Sequence, residues 1–236
     1  MRVLWPGSKR KSANLGRCAL KNNLDLSLYL ILDPSRCLHP PLEVATAAAR
    51  GGISLIQLRD KRGDEQACLT LAEALKQRLD DFNLPLIIND SVAIAQAANA
   101  AGVHLGQGDG DLAHARATLG PQAIIGRTAP DAAALQADEL AYADYVGHGP
   151  VYTTATKQNH LPPIGWAGAT AGVALSHKPV VLIGGLGLAD VKQVYQTGAQ
   201  GMAVASAICS ANDPAAVTRQ FRQAWLAAMQ STPRSA

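Results

Sequence analysis

The chain has 236 residues, 48% hydrophobic and 17% charged, which suits one large domain or two small ones with a genuine apolar core. Aromatic residues make up only 4%, which argues against a protein that binds single-stranded nucleic acid by base stacking. The net charge of +3 is unevenly held: residues 1–25 carry Arg2, Lys9, Arg10, Lys11, Arg17 and Lys21 against Asp25, so the body of the chain is at −2 and is not basic.

Taken in order, the first 24 residues contain no acid, several cations and Pro6-Gly7-Ser8, but lack the apolar stretch of a secretory signal. Residues 1–25 read as a basic tail, with an organelle-targeting peptide or an over-long start as alternatives. A nucleic-acid role could be built only there. No run of about 18 apolar residues is present, so no membrane-spanning helix is expected. Cys18, Cys37, Cys68 and Cys209 are far apart in sequence and form no C-x-x-C pair. That argues against a zinc site or a disulfide framework and suits a reducing, cytoplasmic location.

From Leu26 a pattern repeats: a short aliphatic run, a polar turn, an Ala-rich helical stretch, then Gly or Pro. Strands are predicted at 28–33, 53–59, 84–90, 103–107, 123–128, 145–149, 180–184 and 202–206. Between them helices are predicted at 65–79, 92–100, 112–119, 131–138, 190–196 and 214–229. Gly51-Gly52, Gly102, Gly120-Pro121 and Gly198 read as helix stops. The strands are nearly continuous apolar runs, as in strands covered on both faces. Eight strand–helix units, with no G-x-G-x-x-G after the first strand, predict an α/β fold: a single-domain (β/α)₈ TIM barrel over 26–230, with a short tail at 231–236.

In such a barrel the site lies at the C-terminal strand ends, and unusual polar residues gather there. Strand two ends Gln57-Leu58-Arg59-Asp60-Lys61 and strand three Asn89-Asp90. Strand four runs into Gly106-Gln107-Gly108-Asp109, and strand five ends at Thr128. Strand six feeds Gly149-Pro150-Val151-Tyr152-Thr153-Thr154-Ala155-Thr156-Lys157. Arg59, Lys61 and Lys157 are cations, and Thr128, Thr154 and Thr156 can donate to phosphate oxygens. Asp90 and Asp109 beside them fit a Mg²⁺ ion shared with a diphosphate. Singly, Asp90, Asp109 and Thr128 also suit helix caps, and the two aspartates also suit surface salt bridges. Gly184-Gly185 after strand seven and Ala205-Ser206 after strand eight would let backbone N–H groups approach a second anion, or form tight turns with no ligand. His104, inside strand four, reads as a hydrogen-bonded core residue, and the long stretch 151–167 as a lid.

These segments, in this order from about Leu26 to Ala228, together with Gly102-Val103-His104-Leu105 and Asp144-Tyr145-Val146-Gly147, resemble the thiamine-phosphate synthase family. The resemblance implies an enzyme that joins aminomethylpyrimidine diphosphate to a thiazole phosphate, releasing diphosphate. It assigns Gln57, Arg59, Lys61, Asn89, Thr128 and Lys157 to the pyrimidine diphosphate, and Asp90 and Asp109 to Mg²⁺. Thr154, Thr156, Gly185, Ala205 and Ser206 fall to the thiazole phosphate. Arg59, Lys61, Thr128 and Lys157 would carry the catalysis. No nucleic acid or membrane is implied, and a homo-oligomer is left open. Three positions depart from the family pattern: Thr128 stands where serine is usual, Ser91 where arginine often follows Asn-Asp, and His148 where a small or apolar residue is common. Related thiazole tautomerases use a histidine near position 130, and Pro130 here favours a synthase. A non-catalytic phosphate-binding barrel would leave Arg59, Asp90, Asp109 and Lys157 as an odd surplus.

Overall fold

In a computed structural model, which describes residues 21, 24–153 and 162–231, eight parallel strands close on themselves. They are β1 (Leu28–Leu32), β2 (Leu55–Leu58), β3 (Leu86–Asn89), β4 (Gly102–Leu105), β5 (Ile124–Thr128), β6 (Tyr145–His148), β7 (Val180–Ile183) and β8 (Gly201–Val204). Each pairs with the next, and β8 returns to β1 through Leu28–Met202 and Leu30–Val204. The predicted (β/α)₈ barrel is the observed one. Helices α1 (Pro41–Gly51), α2 (Glu65–Asp80), α3 (Val92–Ala97), α4 (Leu112–Leu119), α5 (Ala132–Leu135), α6 (Gly165–Leu175), α7 (Val191–Gln196), α8 (Ser206–Cys209) and α9 (Pro214–Ser231) surround it. None is long and apolar enough to cross a membrane among the described residues.

Side chains alternate across each strand, and this splits the core in two. Tyr29, Ile31, Leu55, Ile87, Ile124, Tyr145, Val181 and Ala203 fill the barrel. Leu30, Ile56, Ile88, Val103, Ile125, Val146 and Leu182 face outward against the helices. Both layers are apolar, which explains why the strands read as unbroken hydrophobic runs. The bottom of the barrel meets the end of the basic segment: Lys21 Nζ lies 3.0 Å from Asp144 and 2.7 Å from the Pro121 carbonyl. Asp144 also takes Arg116 at 2.8 Å and the Ile125 N–H, so this member of the Asp-Tyr-Val-Gly segment is a structural clamp away from the mouth.

Four details depart from the sequence expectations. Gly102 is the first residue of β4, not a helix stop; a Cβ there would sit 1.7 Å from the Ile124 carbonyl oxygen, so only glycine lets the strands approach. The helix predicted over 131–138 breaks after Leu135 and resumes as a 3₁₀ turn at Asp138–Tyr142. Helix α1 was not predicted, although Pro41 at its first turn and left-handed Gly52 after its last are fitting boundaries. Helix α6 was hidden by its glycines.

One of those glycines resolves the odd His148. Its Nδ1 donates to the Ala129 carbonyl at 2.7 Å, and its buried Nε2 has no hydrogen-bond partner among the described residues. The ring fits only because position 172 lacks a side chain: a Cβ on Gly172 would lie 2.2 Å from Nε2. Gly172→Ala is therefore expected to destabilise the protein by about 1–3 kcal/mol through overpacking. Denaturant melts check this, and adding His148→Ala to the same chain should recover part of the loss.

Candidate active site

The inward positions at the C-terminal ends of β2 to β5 supply one continuous polar rim. These four strands are neighbours in the barrel, paired through Gln57–Ile87, Asn89–His104 and Leu105–Arg127. Arg59, Asp90, Asp109 and Thr128, scattered over 70 positions of sequence, therefore leave adjacent strands at the same end. The capping alternative is resolved in detail. Helices α3, α4 and α5 are capped by Ser91, Asp111 and Asp131, whose side chains accept from Ile94, Ala113 and Ala134 N–H groups. Each cap lies one to three residues beyond the candidate site residue, which leaves Asp90, Asp109 and Thr128 free of that duty. Ser91, unusual for the resembled family, has this structural task.

Arg59 extends over the barrel and donates through Nη1 to Asp33 Oδ2 at 3.0 Å. Asp33, at the end of β1, is buried and is fixed in turn by the Ser35 N–H and hydroxyl. Sequence reading gave Asp33 no role, because one aspartate after a strand looks like any 3₁₀-turn cap, which it also is. Asp60, between the two cations, turns away and binds Arg62, so it does not neutralise Arg59 or Lys61.

Lys61 Nζ donates to Asp90 Oδ2. The salt-bridge alternative for Asp90 is thus part of the arrangement, but it is not all of it. The carboxyls of Asp90 and Asp109 also contact each other. Burial first, and this contact second, push the Asp90 carboxyl above its ordinary range, with Lys61 opposing the shift. Two carboxyls in contact need a proton or a cation between them. Asp90 reaches this place on a strained backbone, φ 65°, pinned by its N–H to the His104 carbonyl at 2.8 Å. Among the described residues no set of three or more His, Cys, Asp or Glu converges on a metal position. A donor set of two carboxylates does not make a zinc or calcium cage, but it fits Mg²⁺, which retains waters and takes phosphate oxygens.

The loop carrying Asp109 is held from outside the barrel by a residue the sequence analysis overlooked. Arg127 is buried, bonds the carbonyls of Gly106 at 2.8 Å and Gly110 at 3.1 Å, and is balanced by Glu139 at 2.9 Å. Asp109 Oδ2 accepts the Gly106 N–H at 2.9 Å. Thr128 ends β5 with Oγ1 3.0 Å from His104 Nε2. Gln57 faces into the barrel and is buried, and Asn89 occupies the inward position on β3 two residues beyond Ile87, the partner of Gln57, and level with His104.

On the opposite side of the rim, Gly184 and Gly185 adopt φ 103° and 70°. A Cβ at Gly185 would lie 2.8 Å from Tyr152 Cβ, so the β7 turn and the chain leaving β6 are in direct contact. The Val151 and Tyr152 N–H groups bond the carbonyls of Ile183 and Gly184 at 2.9 and 3.0 Å. Ala205 and Ser206 join β8 to α8 at the same end. Thr154, Thr156 and Lys157, with the rest of 154–161 in the predicted lid, lie outside the described residues. Cys37 and Cys209, 172 positions apart, are brought close together beside Asp33, where Cys37 Sγ donates to the Asp33 carbonyl at 3.3 Å and Cys209 Sγ to the Ile31 carbonyl at 3.5 Å, a juxtaposition that sequence spacing did not show.

Fold and rim together define a (β/α)₈ barrel with a charged, carboxylate-bearing mouth at the C-terminal strand ends. Comparison with known proteins gives the family. The family model described as thiamine monophosphate synthase matches residues 28–208. Thiamine-phosphate synthase of Psychrobacter sp. (strain PRwf-1) is 46% identical over 193 residues, 80% of this chain and 90% of that protein. That of Xanthobacter autotrophicus is 46% identical over 205 residues, 86% of this chain and 97% of that protein. The solved thiamine phosphate pyrophosphorylase of Pyrococcus furiosus superposes with a TM-score of 0.78 at 30% identity, covering 87% of this chain and 98% of the other. The chain belongs to the thiamine-phosphate synthase family, and is a transferase of thiamine biosynthesis, as the resemblance implied.

Proposed function

We propose that the protein joins 4-amino-2-methyl-5-(diphosphooxymethyl)pyrimidine to a thiazole phosphate, of the hydroxyethylthiazole or carboxythiazole form, giving thiamine phosphate and diphosphate, with carbon dioxide also released from the carboxythiazole form. The observation that carries this reading is the contact of Asp90 with both Asp109 and Lys61, on the rim that also bears Arg59 and Thr128. A diphosphate leaving group needs such a mixture of cations, a donor and metal-binding carboxylates.

In this reading Gln57 and Asn89 orient the pyrimidine. Arg59, Lys61, Thr128 and Lys157 bind the diphosphate, and Asp90 and Asp109 hold Mg²⁺. When bound, the metal supplies positive charge to the diphosphate oxygens. The methylene–oxygen bond breaks with its electron pair leaving on diphosphate, and the electron-rich aminopyrimidine tolerates the positive charge left on the methylene carbon. The thiazole nitrogen lone pair then forms the new carbon–nitrogen bond. Thr154, Thr156, Gly185, Ala205 and Ser206 hold the thiazole phosphate so that this nitrogen faces the methylene. Catalysis comes from positioning and charge stabilisation; the reaction needs no protein nucleophile. A cytoplasmic location and the separation of a basic tail from the barrel belong to the same reading.

Incubation of the purified protein with both substrates and Mg²⁺ should yield thiamine phosphate and diphosphate in equal amounts. Diphosphate released without thiamine phosphate, or no product at all, would overturn the assignment.

A further inference from the structure

A line of polar side chains crosses the apolar interior of the barrel and ends at the site. Gln57 Nε2 donates to Tyr29 Oη at 2.7 Å. Tyr29 Oη lies 2.8 Å from Tyr145 Oη, and Tyr145 Oη lies 3.1 Å from His104 Nδ1. His104 Nε2 lies 3.0 Å from Thr128 Oγ1. Five strands contribute one residue each, and both tyrosines are completely enclosed. Room for the two rings is made by Gly126, where a Cβ would fall 2.3 Å from the Tyr145 ring and 2.5 Å from His104 Nδ1. Polar groups in a low-dielectric core are costly unless each is matched, so the order of donors and acceptors along this line is fixed.

That order has a direction. Burial holds both phenols in the neutral form, so each has one hydrogen to give. The Gln57 amide occupies the Tyr29 oxygen as donor. The Tyr29 hydrogen therefore goes to Tyr145, and the Tyr145 hydrogen goes to Nδ1. The imidazole hydrogen is then on Nε2 and points to Thr128 Oγ1. Thr128 accepts from below and has its own hydrogen left to give upward, into the mouth.

We propose that Tyr29, Tyr145 and His104 are positioning residues that fix the His104 tautomer and thereby commit Thr128 to act as a hydrogen-bond donor to substrate. This rests on the placement of Thr128 in the diphosphate site given above. The opposite direction, with Thr128 donating to the imidazole, would leave it only an acceptor, useless to a phosphate oxygen. A purely structural network would stabilise the barrel without that consequence.

Two measurements test it. Nitrogen-15 NMR of the wild-type imidazoles, with His104 assigned by its absence in His104→Gln, should show the neutral ring protonated at Nε2. A hydrogen on Nδ1 overturns the proposal without any need for an active variant. The second is a double-mutant cycle on kcat. Thr128→Val should lose about 10- to 100-fold, as expected for one hydrogen bond to a charged group. Tyr145→Phe should lose about fivefold in the wild-type background and nothing further in Thr128→Val. Equal losses in both backgrounds would make the network structural only and end the proposal. Full turnover by Thr128→Val would instead remove the site assignment of Thr128, and the positioning role with it.

Discussion

Arg59→Ala is expected to lower kcat by about 10²–10³-fold, the scale on which loss of one group aimed at developing charge is felt. Because the guanidinium is proposed to meet charge that grows as diphosphate departs, kcat and kcat/KM should fall together. The fold should suffer much less. Removing Arg59 takes a cation from the buried Asp33, but that carboxylate keeps the Ser35 N–H at 3.0 Å, the Ser35 hydroxyl at 2.6 Å and Arg36 at 3.8 Å. A cost of about 1–3 kcal/mol follows, towards the low end for a broken buried pair. Arg59→Lys, which keeps the charge but not the forked geometry, should fall between. Steady-state kinetics beside thermal melts decide the matter, and near-wild-type turnover in Arg59→Ala would refute the role. Lys157→Ala should behave in the same way.

The second large effect is expected at Asp90. Asparagine also tolerates the left-handed conformation at φ 65°, so Asp90→Asn preserves the backbone and removes one charge. The Asp90 carboxyl is raised by burial and by Asp109, so the metal-free folded state holds this proton more tightly than the unfolded chain does. The stability that goes with it is present at low pH and lost as pH rises through the raised value. Above that raised value the metal-free wild type carries two carboxylates in conflict, and there Asp90→Asn should melt at a higher temperature. With Mg²⁺ the order should reverse in what is gained: the wild type rises in melting temperature by ligand linkage, and the variant responds weakly. Its turnover should fall by about 10²-fold or more. A variant that keeps both the Mg²⁺-induced shift and full activity would remove Asp90 from the metal site.

The barrel was legible because its strands are buried on both faces, which writes them as unbroken aliphatic runs, and because Gly52, Gly120 and Gly198 stop helices where a stop is needed. Helix α6 escaped because Gly165, Gly168 and Gly172 blur any helical preference, and the reason for the last of them lies across space, in His148. The same division holds at the site. Arg59, Asp90, Asp109 and Thr128 stand out in sequence because polar residues at strand ends interrupt apolar runs. Asp33, Arg127 and the neighbouring Cys37 and Cys209 do not, since Arg59, Glu139 and the second cysteine stand 12 to 172 positions away. His104 was rightly placed in the core, but its reach to Thr128 depends on strand register, and spacing alone does not reveal register.

Strand β5 has two jobs in consecutive residues. Arg127 faces outward and grips the loop that presents Asp109; Thr128 faces inward to the mouth. Because neighbouring residues in a strand point to opposite faces, one backbone segment ties a charge-bearing loop to a hydroxyl on the other side of the sheet. The two cannot be retuned separately. Anyone transplanting this mouth onto another barrel would have to move the fourth loop and the fifth strand as a single cassette.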